Sequence, residues 1–400
     1  MLLDASVHLG YCTNVHPGEQ LLELRENLEH WVAAVKARVC PDRPFGIGLW
    51  ISAAAAQSLR EPGELPALRA LLDRLGLYVF TLNGFPYGAF HGQPVKTRVY
   101  EPDWRQASRL EHSNLLADLL AELLPDGVSG SVSTLPGAFA ASIRAPADVQ
   151  AMADNLLRHV AHLHALYERT GTRIALALEP EPCCYLETTD QAVAFFEREL
   201  RSARAARMLR ELCGNGEALG RHLGLCLDAC HAAVEFEEPA EVVSKLRMAE
   251  IPLVKLQLSS GLRLAQVDAT TSSALQPYLD PIYLHQVVEK RDGALTRYLD
   301  LPDALAALHA RGSSAPAEWR VHFHVPVFLE HLGRFGSTQA FLRELLALHR
   351  SSTLCPHLEV ETYTWDVLPA ELRAQDLADA LARELRFCLT QLGHGHEAQT

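Results

Sequence analysis

The chain has 400 residues, 48% hydrophobic and 21% charged, with a formal net charge of −13. This is the composition of a folded globular protein with ample apolar material for a core. The acidic balance and the lack of a tight basic cluster argue against a phosphate-backbone partner, whose binding depends on Lys and Arg, and no apolar run reaches the roughly 18 residues of a membrane helix.

The first residues, MLLDASVHLGYCTN, carry an acid at position 4 and no basic segment, so they do not read as a secretory signal. Nine cysteines without framework spacing read as buried thiols of a reducing cytoplasm. Apolar runs of strand length then recur: LDASVHLGY (3–11), FGIGLWIS (45–52), LYVFTLNGF (77–85), GVSGSVSTL (127–135) and RIALALEPE (173–181). They continue with GLCLDACH (224–231), PLVKLQLSS (252–260), WRVHFHVPV (319–327) and HLEVETYTW (357–365). Helical patterns separate them, among them DVQAMADNLLRHVAHLHALYERTG and LPDALAALHARG, each ending in Gly after a basic last turn.

Strand alternating with helix over the whole length predicts parallel strands joined by crossovers, and eight such units closing on themselves make a TIM (β/α)8 barrel. A doubly wound sheet is the alternative, but no Gly-rich phosphate loop follows the first strand. Nine strand runs are one too many, and the surplus is assigned to an insertion near 261–320. There YLHQVVEKRDGALTRYLDL predicts a hairpin turning at Asp292-Gly293. The expectation is one domain over 1–392 with a disordered tail at 393–400.

Side chains alternate between the faces of a strand, and several strands place polar residues on one face. Glu179 and Glu181 share a face with Ala175 and Ala177; Lys255, Gln257 and Ser259 share another. His322 and His324 align, as do Glu359, Glu361 and Tyr363, and Ser6 with His8. Helices outside a barrel require the apolar face, so the polar face must point to the axis. Carboxylates converging there repel and cannot all stay ionised without a cation, so a divalent metal is the expected compensation. Glu179, Asp228, Gln257, His324 and Glu361 sit towards the carboxyl ends of their strands, where barrel enzymes keep their chemistry.

Structural alternatives stand beside each of these. Glu179 can serve a salt bridge, Asp228 can cap the following helix, and His231 can simply hydrogen-bond. Gln257 can offer a carbonyl oxygen to a cation or bond a substrate hydroxyl. Lys255 can polarise a substrate carbonyl or pair with Glu359. In the Gly- and aromatic-rich segment NGFPYGAFHG, Asn83, Phe85, Tyr87, Phe90 and His91 are candidates to line a pocket, as are His8 and Asn14 after or on the first strand.

ALALEPEP, GLCLDACH and LEVET together resemble the xylose isomerase-like TIM barrels, a superfamily of sugar isomerases, ketose 3-epimerases and endonuclease IV. The resemblance implies one divalent cation (Mn, Mg, Co or Zn) with Glu179, Asp228 and Glu361 as ligands. It also implies a histidine at the strand where this chain has Gln257, leaving His324 or His322 to take that role, and it places His231 beside the metal. Glu179 or Glu361 would move the substrate proton. GYCTNVHPGE, TLNGFPYGAFHG, RYLDLPDAL and VHFHVPVF further resemble the metabolite-traffic protein E group of the Ebo clusters, which implies pathway partners that include a membrane prenyltransferase. Three functions follow as expectations: a metal-dependent isomerase or epimerase of a small polyol or sugar, a binding or traffic protein on the same barrel, or an endonuclease-type phosphodiesterase.

Overall fold

The computed structural model describes residues 1–400 apart from 5, 89–90, 93, 269, 312–315, 374–375 and 396–400. Phe90 and most of the expected tail therefore lie outside the described residues.

A short strand β1 (Leu2–Asp4) runs antiparallel to β2 (Val7–Tyr11), the first stave of a barrel. The next staves are β3 (Phe45–Trp50), β4 (Leu77–Asn83), β5 (Gly130–Thr134), β6 (Ile174–Leu178), β7 (Leu223–Asp228) and β8 (Leu253–Leu258). The chain then leaves the barrel to build a second sheet of β9 (Gly261–Leu264), β10 (Val287–Arg291), β11 (Ala294–Tyr298), β12 (Glu318–His324), β13 (His331–Leu332) and β14 (Phe335–Ser337). It returns with β15 (His357–Val360), which pairs in parallel with both β8 and β2. A parallel bridge between Cys12 and Gly48 joins the ends of β2 and β3, so eight parallel strands close. Helices coat the outside; Pro146–Thr170 presents Leu156, Leu157, Val160 and Leu163 to the core and stops at Gly171 in the left-handed region, φ 74°.

The second sheet corrects one expectation. The run 319–327 is not a barrel stave: β12 pairs antiparallel with β10 and β9. Its HFH alternation resembles a stave because polar side chains on this sheet also face the barrel mouth, and alternation does not say which sheet a strand joins. The excursion also runs past 320. Its stem closes where the Gly261 amide donates to Thr338 Oγ1 at 2.8 Å and the Thr338 amide to the Gly261 carbonyl at 2.9 Å. The expected hairpin is present: Arg291 opposes Ala294, and Asp292 and Gly293 take φ 49° and 82°, as a two-residue turn of this type requires. Among the described residues no helix is long and apolar enough to cross a membrane.

Inside the barrel the polar faces converge. Lys255 and Glu359 are fully buried and meet at 2.5 Å, with the Lys255 ammonium also donating to Ser133 Oγ at 3.2 Å. Burial by itself would lower the Lys255 pKa; Glu359 beside it more than reverses this and keeps it raised. The Glu359 carboxylate reaches so far across that a Cβ on Gly48 would lie 1.3 Å from its Oε1, which leaves room only for glycine. Lys255→Met strands a buried carboxylate and is expected to cost about 3–5 kcal/mol of stability. Lys255→Met with Glu359→Leu should recover most of that loss in urea denaturation, and an unchanged midpoint for the single variant would contradict the pairing.

Candidate metal centre and substrate cavity

Above that ion pair, the strand ends bring Glu179, Asp228 and Glu361 together so that one oxygen from each lies within 4.8 Å of the others. Asp228 also belongs to a second such group with His231 and His324, and Cys230, His322 and His324 form a third. All of these side chains are buried. Asp228 caps the following helix with one oxygen and keeps the other free of hydrogen bonds. Its Oδ1 accepts from the His231 amide at 2.9 Å and from Ser259 Oγ at 2.7 Å, whereas its Oδ2 has no partner among the described residues.

The same vacancy recurs around it. Glu179 Oε2, His324 Nε2 and both polar atoms of Gln257 are buried and lack a hydrogen-bond partner among the described residues. A buried polar atom without a partner costs free energy, so several at one barrel mouth fit a cation bound among them. The imidazoles are set for this. His324 Nδ1 lies 2.8 Å from the Glu361 carbonyl, which assigns the proton to Nδ1 and leaves Nε2 bare. Gln257 aligns with Asp228 on one neighbour and Glu359 on the other, one pleat above Lys255.

Electrostatics agree. Burial first, then repulsion from Glu361 and Asp228, pushes the Glu179 carboxyl well above the usual range. Burial, then Asp228 and Glu359, raises Glu361 to about 8. Burial lowers His324 to about 4, so its imidazole is neutral at pH 7. Glu361 is nevertheless fixed in direction, because its Oε1 accepts from Asn14 at 2.7 Å and from Asn83 at 3.0 Å.

A cavity with about 550 Å³ of empty space opens over this centre and is bordered by Asn14, Asn83, Phe85, Glu179, His231, His322 and Glu361 among others. His231 Nδ1 faces the Pro180 carbonyl at 3.0 Å and His322 Nδ1 faces Gln286 Oε1 at 2.7 Å, so each Nδ1 carries its hydrogen. The two Nε2 atoms then meet at 3.1 Å, a contact that needs one proton shared between them, and Tyr363 Oη lies 3.5 Å from His322 Nε2. The Gln286 amide is oriented by its nitrogen, which donates to Tyr100 Oη, Glu181 Oε1 and the Pro182 carbonyl at 2.9–3.1 Å.

Four expected site residues are elsewhere. His8 lies near the start of β2, at the opposite barrel mouth, bonded to Tyr78 Oη at 3.0 Å, because only the carboxyl end of a stave reaches the site. Lys255 is held one layer down by Glu359 and does not border the cavity. Tyr87 turns away to pack on His112, ring centroids 4.9 Å apart. His91 stands at the rim against Trp50 and Tyr283. Conversely, Tyr100, Tyr283, Leu284, Val95 and Lys96 border the cavity without having been singled out in the sequence, since loop contacts leave no periodic signal. Tyr363 does leave one, two residues beyond Glu361 on the same face.

No protein-family model matches the chain, and no curated protein matches it by sequence. Solved structures do match. A xylose isomerase-like TIM barrel protein from Mycobacterium smegmatis, in complex with magnesium, superposes with a TM-score of 0.52 at 12% identity, covering 100% of both chains. A D-tagatose 3-epimerase-like protein gives 0.50 at 12% identity, over 98% of this chain and 99% of the other. The fold is the xylose isomerase-like TIM barrel. In this barrel the strand next to Asp228 carries Gln257, and the imidazoles of His322 and His324 enter from β12 of the second sheet.

Without a cation the raised Glu361 carboxyl holds a proton between pH 4.5 and about 8 that the unfolded chain has released. Stability of the EDTA-treated protein is therefore expected to fall as pH rises through that window. A divalent cation should restore it at the alkaline end, where it no longer competes with protons. Thermal melts across that range with EDTA or MnCl2 measure both effects, and a melting temperature that climbs with pH in EDTA would contradict the assignment.

Proposed function

We propose that Glu179, Asp228 and Glu361 bind one divalent cation, completed by His324 Nε2 and the amide oxygen of Gln257, and that the protein is an isomerase or epimerase of a small polyol, sugar or related metabolite. The observation that carries this reading is the set of buried, unpartnered polar atoms at one barrel mouth: Glu179 Oε2, Asp228 Oδ2, His324 Nε2 and the Gln257 amide. Oxygen donors with one imidazole suit Mn²⁺, Mg²⁺ or Co²⁺, and His231 beside His324 shifts the preference towards Zn²⁺. The bound magnesium and the epimerase likeness named for the two structural neighbours support the same class.

When bound, the cation supplies Lewis acidity, polarising a carbonyl or making a hydroxyl more acidic. The protein's own groups do the rest. Glu361, oriented by Asn14 and Asn83, and Glu179, with its free oxygen, are the two carboxylates that border the cavity beside the centre. One takes the proton from the carbon next to the polarised oxygen, and return of a proton from the other carboxylate to the opposite face inverts that carbon. The paired imidazoles of His231 and His322, their Nε2 atoms 3.1 Å apart, border the same cavity and take up a hydroxyl proton. Tyr100, Glu181 and Gln286 hold His322 in place.

Gln257, where an imidazole would be a stronger ligand, favours a second reading: a metabolite-binding or traffic protein that holds the same ligand without turnover, in the cytoplasm beside a membrane prenyltransferase. A phosphodiesterase draws no support from a cavity bordered by carboxylates and, among the described residues, one Lys or Arg side chain, Lys96.

Wild type is expected to bind one Mn²⁺ per chain, and Glu179→Gln or Asp228→Asn to weaken that binding by about 100-fold or more. Titration calorimetry with elemental analysis measures this. A wild type that takes up no cation, or a Glu179→Gln protein stabilised by cations as strongly as wild type, would remove the metal reading. Turnover of a ketose or polyol by the loaded protein, lost in Glu179→Gln, separates the enzyme from the traffic protein.

A further inference from the structure

The walls of the cavity divide by chemistry. Glu179, Glu361, His231 and His322 border it with polar groups; Val95, Val99, Leu284 and Phe85, with the rings of Tyr283 and Tyr363, make an apolar wall. Tyr283 and Tyr363 meet edge to face at 5.0 Å and, with Trp50, form an apolar cluster separate from the main core, to which Val99 adds a partly buried side chain. None of Val95, Val99, Leu284 and Phe85 has a side-chain donor or acceptor. A bare polyol carries hydroxyls on every side, and those turned towards this wall would be buried without partners, at a free-energy cost.

Charge narrows the ligand further. Lys96 is the one cationic side chain bordering the cavity among the described residues apart from histidine, and its ammonium is already committed. It donates to the Asp280 and Tyr283 carbonyls at 3.1 and 2.7 Å and pairs with Asp300 at 2.6 Å. The amides of Val95 and Lys96 both bond the Ile282 carbonyl, so this segment is tied to the second sheet as a roof. A phosphate or carboxylate under that roof would meet apolar side chains and an engaged ammonium.

From this division we infer the substrate class, resting on the metal reading above: an uncharged compound with vicinal oxygens at one end and an apolar body, aryl or branched alkyl, at the other. The oxygens face Glu179 and Glu361, and the body lies against Val99, Leu284, Tyr283 and Tyr363. The segment leading into β10, which supplies Tyr283 and Leu284, is then the element that sets specificity.

Hydroxamates test this, since they share one chelating head and differ in the body. Full-length protein is loaded with Mn²⁺, its Mn²⁺ affinity is measured, and acetohydroxamate, benzohydroxamate and phosphoglycolohydroxamate are titrated calorimetrically. Benzohydroxamate is expected to bind about tenfold or more tightly than acetohydroxamate, from burial of its ring, and the phosphorylated compound more weakly than both. Leu284→Ser and, as an independent variant, Val99→Ser should reduce the aryl preference to within about threefold while Mn²⁺ affinity stays unchanged. Equal binding of the aryl and methyl compounds to Mn²⁺-loaded wild type, tightest binding of the phosphorylated one, or an aryl preference that survives in both folded variants would overturn the inference and leave the metal reading standing. Absence of Mn²⁺ binding by wild type would instead overturn the metal reading and this inference with it.

Discussion

Negative charge in a dry barrel axis is the constraint on which the rest of this structure depends. It is met differently in two adjacent layers. In the lower one Glu359 is answered by Lys255 at 2.5 Å, and the space its carboxylate needs is opened by the missing side chain of Gly48. In the upper one Glu179, Asp228 and Glu361 converge with no Lys or Arg among the described residues bonded to them, and burial with mutual repulsion raises the Glu179 and Glu361 carboxyls. A side-chain cation makes the first layer structural; the want of one in the second is what the proposed metal would answer.

The second sheet changes what the barrel can do. Eight staves alone would present three carboxylates, Gln257 and His231. By leaving after β8 and returning before β15, the chain adds β12, whose alternate residues His322 and His324 reach the same mouth. Their tautomers are set by neighbours that belong to the site itself: the Glu361 carbonyl for His324 and Gln286, just ahead of β10, for His322. The polar groups at this mouth are thereby split between two sheets, joined by a stem at Gly261 and Thr338.

Asp228 links these two contributions. One of its oxygens starts the helix Ala229–Val234, which carries His231 and Cys230 to the mouth, and the other is left for the centre. Local folding and site formation thus share one side chain, so a change there disturbs backbone and chemistry together.

How much of this was written in the chain follows from the reach of each interaction. The strand-helix alternation, the inward polar faces of β6, β8 and β15, the hairpin at Asp292-Gly293 and the grouping of Glu179, Asp228 and Glu361 were all legible, because period and strand position are local properties of a sequence. Which sheet holds the HFH strand was not, since alternation is common to every half-buried strand. Nor was the separation of Lys255 from the cavity, where a single pleat decides between an ion pair and a catalytic position, or the removal of His8 to the far mouth. Sequence by itself determined the barrel and its acidic axis, which need only neighbouring residues to repeat a pattern. Tertiary structure alone decided the partners of those acids and the apolar roof above them, because contacts between residues a hundred or more positions apart depend on how the closed barrel and the second sheet meet.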